Sequence, residues 1–133
     1  HITKPCEEQL TTAGFKALKT SEDVTAVLAQ KEGTTLLVIN SVCGCAAANA
    51  RPAALASIQH AKHPTNLVTV FAGVDSDAVA KAREFTFPYP PSSPAIGLFK
   101  DGKLVHFIER QMIEGRPAKM IADNLVAAYE EYC

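Results

Sequence analysis

The chain has 133 residues, 47% of them apolar, and sets 13 Lys and Arg against 14 Asp and Glu for a formal charge of -1. That length suits one compact domain with its own core, so residues 1–133 are expected to form a single domain without a linker. The even charge gives no footprint for nucleic acid or an anionic membrane, and no apolar run approaches the roughly 20 residues of a membrane helix, so neither partner is expected.

The opening H-I-T-K-P-C-E-E lacks the basic and apolar segments of a signal peptide, and a cytoplasmic location is expected. Glu7 to Leu18 sets Leu10, Phe15 and Leu18 among polar residues as a loose helical stripe that Pro5 could open. Thr20 or Ser21 then reads as an N-cap, with Glu22 and Asp23 in the first turn and Val24, Val27 and Leu28 on one face until Gly33. Two helices are thus expected before the first strand. That strand is T-T-L-L-V-I-N, Thr34 to Asn40, whose unbroken apolar run suits burial on both faces.

From Ala46 to about Ala61 the composition turns to alanine and predicts a helix, kinked at Pro52. Leu67 to Ala72 reads as a second strand, parallel to the first, and Asp77 to Phe85 as a short helix with Val79 and Ala82 inward. Ala95 to Lys100 and Lys103 to Ile108 are strands joined by Asp101-Gly102, a strong two-residue hairpin signal. Pro117 marks a last helix start, with Ile121, Leu125, Ala128 and Tyr132 at helical spacing.

The chemistry is concentrated in N-S-V-C-G-C-A-A-A-N-A-R-P-A-A, Asn40 to Ala54, where Cys43 and Cys45 stand at a strand-to-helix junction. A structural bridge between them would close too small a loop to restrain the unfolded chain much, and Cys6 and Cys133 lie near the termini. Close cysteine pairs in a reducing compartment serve catalysis or metal binding more often than stapling. Three readings remain open on the residues alone: a redox pair, two small buried apolar side chains, or half of a thiolate cage with Cys6 and Cys133. The cage is disfavoured by spacing, since zinc pairs usually have at least two intervening residues.

The order of strand, cysteine pair, proline-containing helix, strand, helix, proline-led hairpin and final helix resembles the thioredoxin fold. The α/β fold class expected is therefore a central mixed sheet flanked by helices, with an N-terminal helical extension. Within it, V-C-G-C-A-A-A-N-A-R-P-A-A, Y-P-P-S-S-P-A-I-G-L-F-K-D-G and the I-E-G-R of Ile113 to Arg116 are similar to the bacilliredoxin family, whose members have Cys-Gly-Cys in place of Cys-x-x-Cys. The similarity runs from about Thr35 to Cys133. It implies a thiol-disulfide oxidoreductase, with isomerase or reductase activity, that removes bacillithiol from mixed disulfides on other proteins. The partners implied are thiolated or disulfide-containing clients and a thiol or disulfide reductase. No cofactor or metal is expected, only bacillithiol or a similar small thiol as co-substrate, and the chain is expected to be a monomer or weak dimer.

A cysteine at a helix N-terminus meets unpaired N–H groups and the positive end of the dipole, which favour the thiolate; Cys43 is thus expected to be the nucleophile and Cys45 the resolving thiol. Gly44 supplies the permissive backbone of so tight a ring, and the oxidised pair should be comparatively easy to reduce. Ser93-Pro94 is expected to be a cis peptide that keeps a backbone edge open beside the cysteines. Arg51 has two readings, a solvated surface charge or a cation that grips an anionic thiol or biases Cys43. Asn49 reads as structural, and His60, His63 and His106 fit no triad or metal spacing. Thioredoxins keep a buried carboxylate on the strand before their cysteines. Here Leu36 to Ile39 fill it with apolar groups, so proton handling is expected to differ. The competing function is a non-catalytic thiol module, metal-binding or redox-sensing.

Overall fold

The structure, a computed structural model, describes residues 3–41 and 49–133. In chain order the elements are α1 (Thr3–Thr11), β1 (Lys16–Ala17), α2 (Ser21–Leu28), β2 (Thr34–Asn40), α3 (Arg51–Ser57), β3 (Asn66–Phe71), α4 (Ser76–Phe85), β4 (Ala95–Lys100), β5 (Lys103–Ile108), α5 (Arg110–Ile113) and α6 (Ala118–Tyr132). The five strands form one mixed sheet in the order β1-β3-β2-β4-β5, with β1, β3 and β2 parallel and β4 and β5 antiparallel to their neighbours. The expected parallel pairing and the hairpin are both present.

β2 lies at the centre and every residue from Thr34 to Asn40 is buried. Because side chains alternate along a strand, Leu36 and Val38 join a cluster with α1, α3 and α6, while Leu37 and Ile39 join a second with α2 and α4. The sheet is thus covered on both faces, as its continuous apolar run predicts. Leu10 of α1 and Leu125 and Tyr129 of α6 fill the first cluster; Val24, Leu28, Val79 and Ala82 fill the second. Thr20 caps α2 by accepting from the Asp23 amide at 3.1 Å, which selects it over Ser21 as the N-cap.

Both helices expected before β2 are present, but the first stops short of Leu18 and a strand that was not expected follows it. α1 ends at Thr11, Gly14 turns the chain at φ +111°, and Lys16–Ala17 pairs with Val68 and Thr69 of β3. A side chain is strained at that φ, so the helix cannot run on to Leu18. Phe15 and Leu18, which the stripe placed on one helix face, enter opposite clusters from an extended segment. Pro5 sits inside the first turn of α1, where its missing N–H removes no intrahelical bond.

The helix expected from Ala46 to Ala61 is shorter among the described residues, with α3 ending at Ser57. Pro52 is the second residue of α3, Asn49 and Ala50 form a π-type turn ahead of it, and the expected start at Ala46 lies outside the described residues. At the β4–β5 turn both Asp101 (φ 53°) and Gly102 (φ 82°) have positive φ, the pattern of a type I′ turn. A Cβ at Gly102 would stand 3.0 Å from the Gln30 carbonyl, so the site excludes larger residues by contact as well as by φ. Asp101 and Gly33 bond reciprocally at 2.9 and 3.0 Å and join this turn to the α2–β2 loop. The short α5 was not expected from the sequence.

One polar pair crosses the first cluster. Ser57 Oγ donates to the Ala54 carbonyl at 2.8 Å, so its 2.8 Å contact with Tyr129 is donated by the buried Tyr129 hydroxyl. Ser57→Ala orphans that hydroxyl and should cost roughly 1–3 kcal/mol, whereas Tyr129→Phe leaves Ser57 satisfied and should cost less; urea unfolding of the two variants checks the order. Burial pushes the Tyr129 phenol up to about 12. Above the ordinary phenol value the unfolded chain gives up a proton that the folded chain keeps. Stability therefore falls as pH rises towards 12, and Tyr129→Phe should flatten that fall.

Candidate active site

Cys43, Gly44 and Cys45 lie in residues 42–48, outside the described residues. The structure describes what surrounds the junction on either side. All three parallel strands end at this pole of the sheet, and β4 begins there. The β2–β4 register sets Ala95 opposite Ile39, which brings Pro94 level with Asn40, three residues before Cys43. The Ser93-Pro94 peptide is cis, as expected, and Pro94 is buried while Ser93 is half-buried. A second cis peptide, Phe87-Pro88, was not foreseen.

Arg51 is not a surface charge. It is 2% exposed, with Nη1 donating to Asn40 Oδ1 at 3.0 Å and to the Ser41 carbonyl at 2.7 Å, and Nε donating to Gln9 Oε1 at 2.7 Å. Asn40, wholly buried, also accepts from the Ser41 amide at 2.8 Å and donates through Nδ2 to the Cys6 carbonyl at 3.2 Å. One network thus joins α1, the end of β2 and the start of α3. Asn40 and Gln9 were missed in the sequence, although a lone amide closing a run of apolar strand residues is a visible signal for Asn40. Asn49 donates to the Ile113 carbonyl at 3.0 Å and ties the turn ahead of α3 to α5, in line with the structural reading of this residue.

A second cation reaches the cis peptide. Arg110 Nη1 donates to the Ser93 carbonyl at 3.3 Å, its amide donates to Ser92 Oγ at 3.4 Å, and Nη2 pairs with Glu114 at 3.2 Å. Ser92, Arg110 and Glu114, with Pro90, Glu109 and Gln111, line an open groove of about 340 Å³. Across the pole, Lys19 bonds Glu7 of α1 and, at 3.4 Å, Asp75 ahead of α4. Burial works against the Lys19 charge, but the two carboxylates outweigh it and hold its pKa above the ordinary lysine range.

The other cysteines separate. Cys6, near the N-terminus in sequence, is half-buried at the site pole, with its carbonyl in the Asn40 network. Cys133 lies beside Thr34, the first residue of β2 and so at the far end of that strand from Asn40. Cys133 is exposed at the surface, and partial burial pushes its thiol up against the pull of Thr34, Lys100 and Lys62. The histidines are scattered: His60 pairs with Glu130, His63 with the Pro64 carbonyl and His106 with Asn124. Among the described residues no three His, Cys, Asp or Glu gather as metal ligands, and no helix is long and apolar enough to cross a membrane.

A cis peptide level with the end of the central strand is an arrangement suited to presenting a backbone edge to an extended partner. The whole chain, residues 1–133, matches the Disulphide isomerase family. It is 58% identical to a bacilliredoxin of Cytophaga hutchinsonii over 130 residues, covering 98% of this chain and 96% of that protein. It is 53% identical to a bacilliredoxin of Halalkalibacterium halodurans over 132 residues, covering 99% and 92%. Among solved structures, the thioredoxin of Malassezia sympodialis superposes with a TM-score of 0.61 at 13% identity, covering 90% of each chain. Thioredoxin O2 of Arabidopsis thaliana gives 0.57 at 17% identity, covering 89% of this chain and 96% of that one. The fold is that of thioredoxin, and the family gives the chain a thiol-disulfide redox role, as an oxidoreductase acting on thiol- or disulfide-containing substrates. With the match extending over its full length, the chain belongs to the bacilliredoxin family of thioredoxin-fold proteins.

Proposed function

We propose that this chain removes bacillithiol from mixed disulfides on client proteins through Cys43 and Cys45, in the cytoplasm. The observation that carries this reading is the whole-chain similarity to proteins named bacilliredoxin, combined with the C-G-C that the sequence itself holds. The Cys43 thiolate attacks the bacillithiol sulfur of a client-S–S-bacillithiol bond; the client leaves as its thiolate, and a Cys43–bacillithiol disulfide forms. Cys45 then attacks Cys43, releasing bacillithiol as a thiol and leaving a Cys43–Cys45 disulfide. Two electrons from a thiol or disulfide reductase return the pair to dithiol. No resident cofactor enters these steps.

The test is intact-mass spectrometry of Cys45→Ser after incubation with a model protein bearing a bacillithiol mixed disulfide. The expected product is one bacillithiol on Cys43 and a freed client thiol. Adducts formed equally well from any small disulfide would leave a general thiol-disulfide exchanger instead. No adduct, together with metal bound to the purified wild-type protein, would favour the non-catalytic thiol module.

A further inference from the structure

Room is left along the seam between β5 and α6. Two hollows open there, one of about 40 Å³ bordered by Arg116 and Met120 and one of about 240 Å³ lined by Ala127, Ala128 and Glu131, and Asn124 borders both. They form one trough beside α6, with Asn124 fixed at its middle by His106 at 2.6 Å. Met120 stands at the end nearer the cis peptide, a large apolar side chain that is 53% exposed. Such a side chain, held out one turn away from an open hollow lined with alanine, is the kind of feature that marks a surface meant for a partner.

Charge distinguishes the two ends of the trough. Arg116 borders the first hollow and Glu131 the second, and among the described residues neither forms an ion pair in its own chain. The charges around them are paired: Lys119 with Asp123, Glu130 with His60, and Arg110 with Glu114. A cation at one end and an anion at the other suit an occupant with the reverse order. A second copy of the chain, turned end for end, has that order.

The spacing along α6 fits as well. At about 1.5 Å per residue, Met120 lies about 6 Å to one side of Asn124 and Ala128 about 6 Å to the other. A two-fold axis through Asn124, with the two helices antiparallel, sets each residue before Asn124 against the one equally far after it in the other copy. Met120 then meets the hollow at Ala128, and Arg116, eight residues before Asn124, comes beside Glu131, seven residues after it. The symmetry makes each contact twice.

We infer that this chain pairs with a second copy of itself through α6 and β5, Met120 of each filling the hollow at Ala128 of the other and Arg116 pairing with Glu131 across the interface. Each copy uses the same patch, so association closes at two. The antiparallel helices turn the two cis-peptide poles away from each other, and both stay open to substrates. The pairing does not depend on the exchange chemistry proposed above. One knob and one exposed ion pair per copy make it a weak, salt-sensitive dimer.

Sedimentation velocity on the full chain from about 1 μM to about 1 mM, at low and high salt, reads the association directly. Wild type should pass from monomer to dimer over that range, with less dimer at high salt. Met120→Glu puts a carboxylate into a hollow that Glu131 already borders, and should weaken association at least about tenfold. Arg116→Glu and Glu131→Arg should each do the same, because each sets like charges together twice. Mixing those two variants restores both opposite pairs in a heterodimer, so the mixture should associate more tightly than either variant alone, an outcome that misfolding cannot imitate. Thermal unfolding is recorded for every variant. A wild type that stays monomeric up to about 1 mM overturns the inference and leaves the trough to a different partner. A dimer indifferent to Met120→Glu, or a mixture no more associated than its parts, overturns it too, since either puts the contact elsewhere.

Discussion

Cys43→Ser should lower the rate of disulfide exchange by at least about three orders of magnitude, because a serine hydroxyl is not ionised near neutral pH and loses the nucleophile outright. Cys45→Ser should behave differently. Its first step, attack by Cys43 and release of the client thiol, survives, but nothing internal displaces the captured thiol, so one equivalent of client is freed and turnover stops unless a second small thiol is supplied. Stopped-flow release of client thiol separates the two: no burst for Cys43→Ser, a burst of one equivalent for Cys45→Ser. Cys133→Ser should match wild type, since Cys133 is at the other end of β2 and burial raises its pKa. A full burst in Cys43→Ser would exchange the roles assigned to the two cysteines.

The second large effect concerns the scaffold. Leu36→Ala and Leu37→Ala should each destabilise the fold by roughly 2–5 kcal/mol, although adjacent residues of a strand point in opposite directions. In a sheet with one wet face, one of the pair would be nearly free to change. Here both are fully buried, Leu36 in the cluster with α1, α3 and α6 and Leu37 in that with α2 and α4. Because the two side chains pack into different clusters, their costs should be close to additive, and the double variant would exhaust most of the roughly 5–15 kcal/mol that holds a domain of this kind together. Urea midpoints of the two single variants and the double variant check this. A Leu37→Ala cost well under that of Leu36→Ala would mean that the α2–α4 side closes over the missing side chain.

The central strands and the hairpin were legible in the sequence because their signals are local and strong. T-T-L-L-V-I-N has no helical period, and Asp101-Gly102 occupies the one turn type that both residues tolerate. The N-terminal helix was overextended because Leu10, Phe15 and Leu18 share a helical spacing by coincidence; Gly14 breaks it, and β1 is too short to have a period of its own. α5 was missed for the same reason, being a single turn. At the site, the cis Ser93-Pro94 peptide was legible from motif and resemblance and lies level with Asn40, while Cys43 and Cys45, singled out by the same motif, lie outside the described residues. Arg51 was visible as a cation near the pair, but its burial was not, since it depends on Gln9, distant in sequence by 42 residues. Arg110 was likewise hidden, because its relation to Ser93 arises only when β4 and β5 fold back on each other.

The two edges of the sheet have a further consequence, for colloidal behaviour. Three inner strands this apolar would offer an attractive template for growth of the sheet if their neighbours were long and flat. On one side the sheet ends in β1, two residues long and led by the exposed Lys16. On the other, β5 starts with the exposed Lys103, is thrown out of register with β4 by an irregularity at Leu98/Phe99, and is bonded to α6 through His106 and Asn124. Neither edge presents a long apolar ladder, so the chain can keep a continuous greasy centre without inviting another molecule to extend it into aggregates.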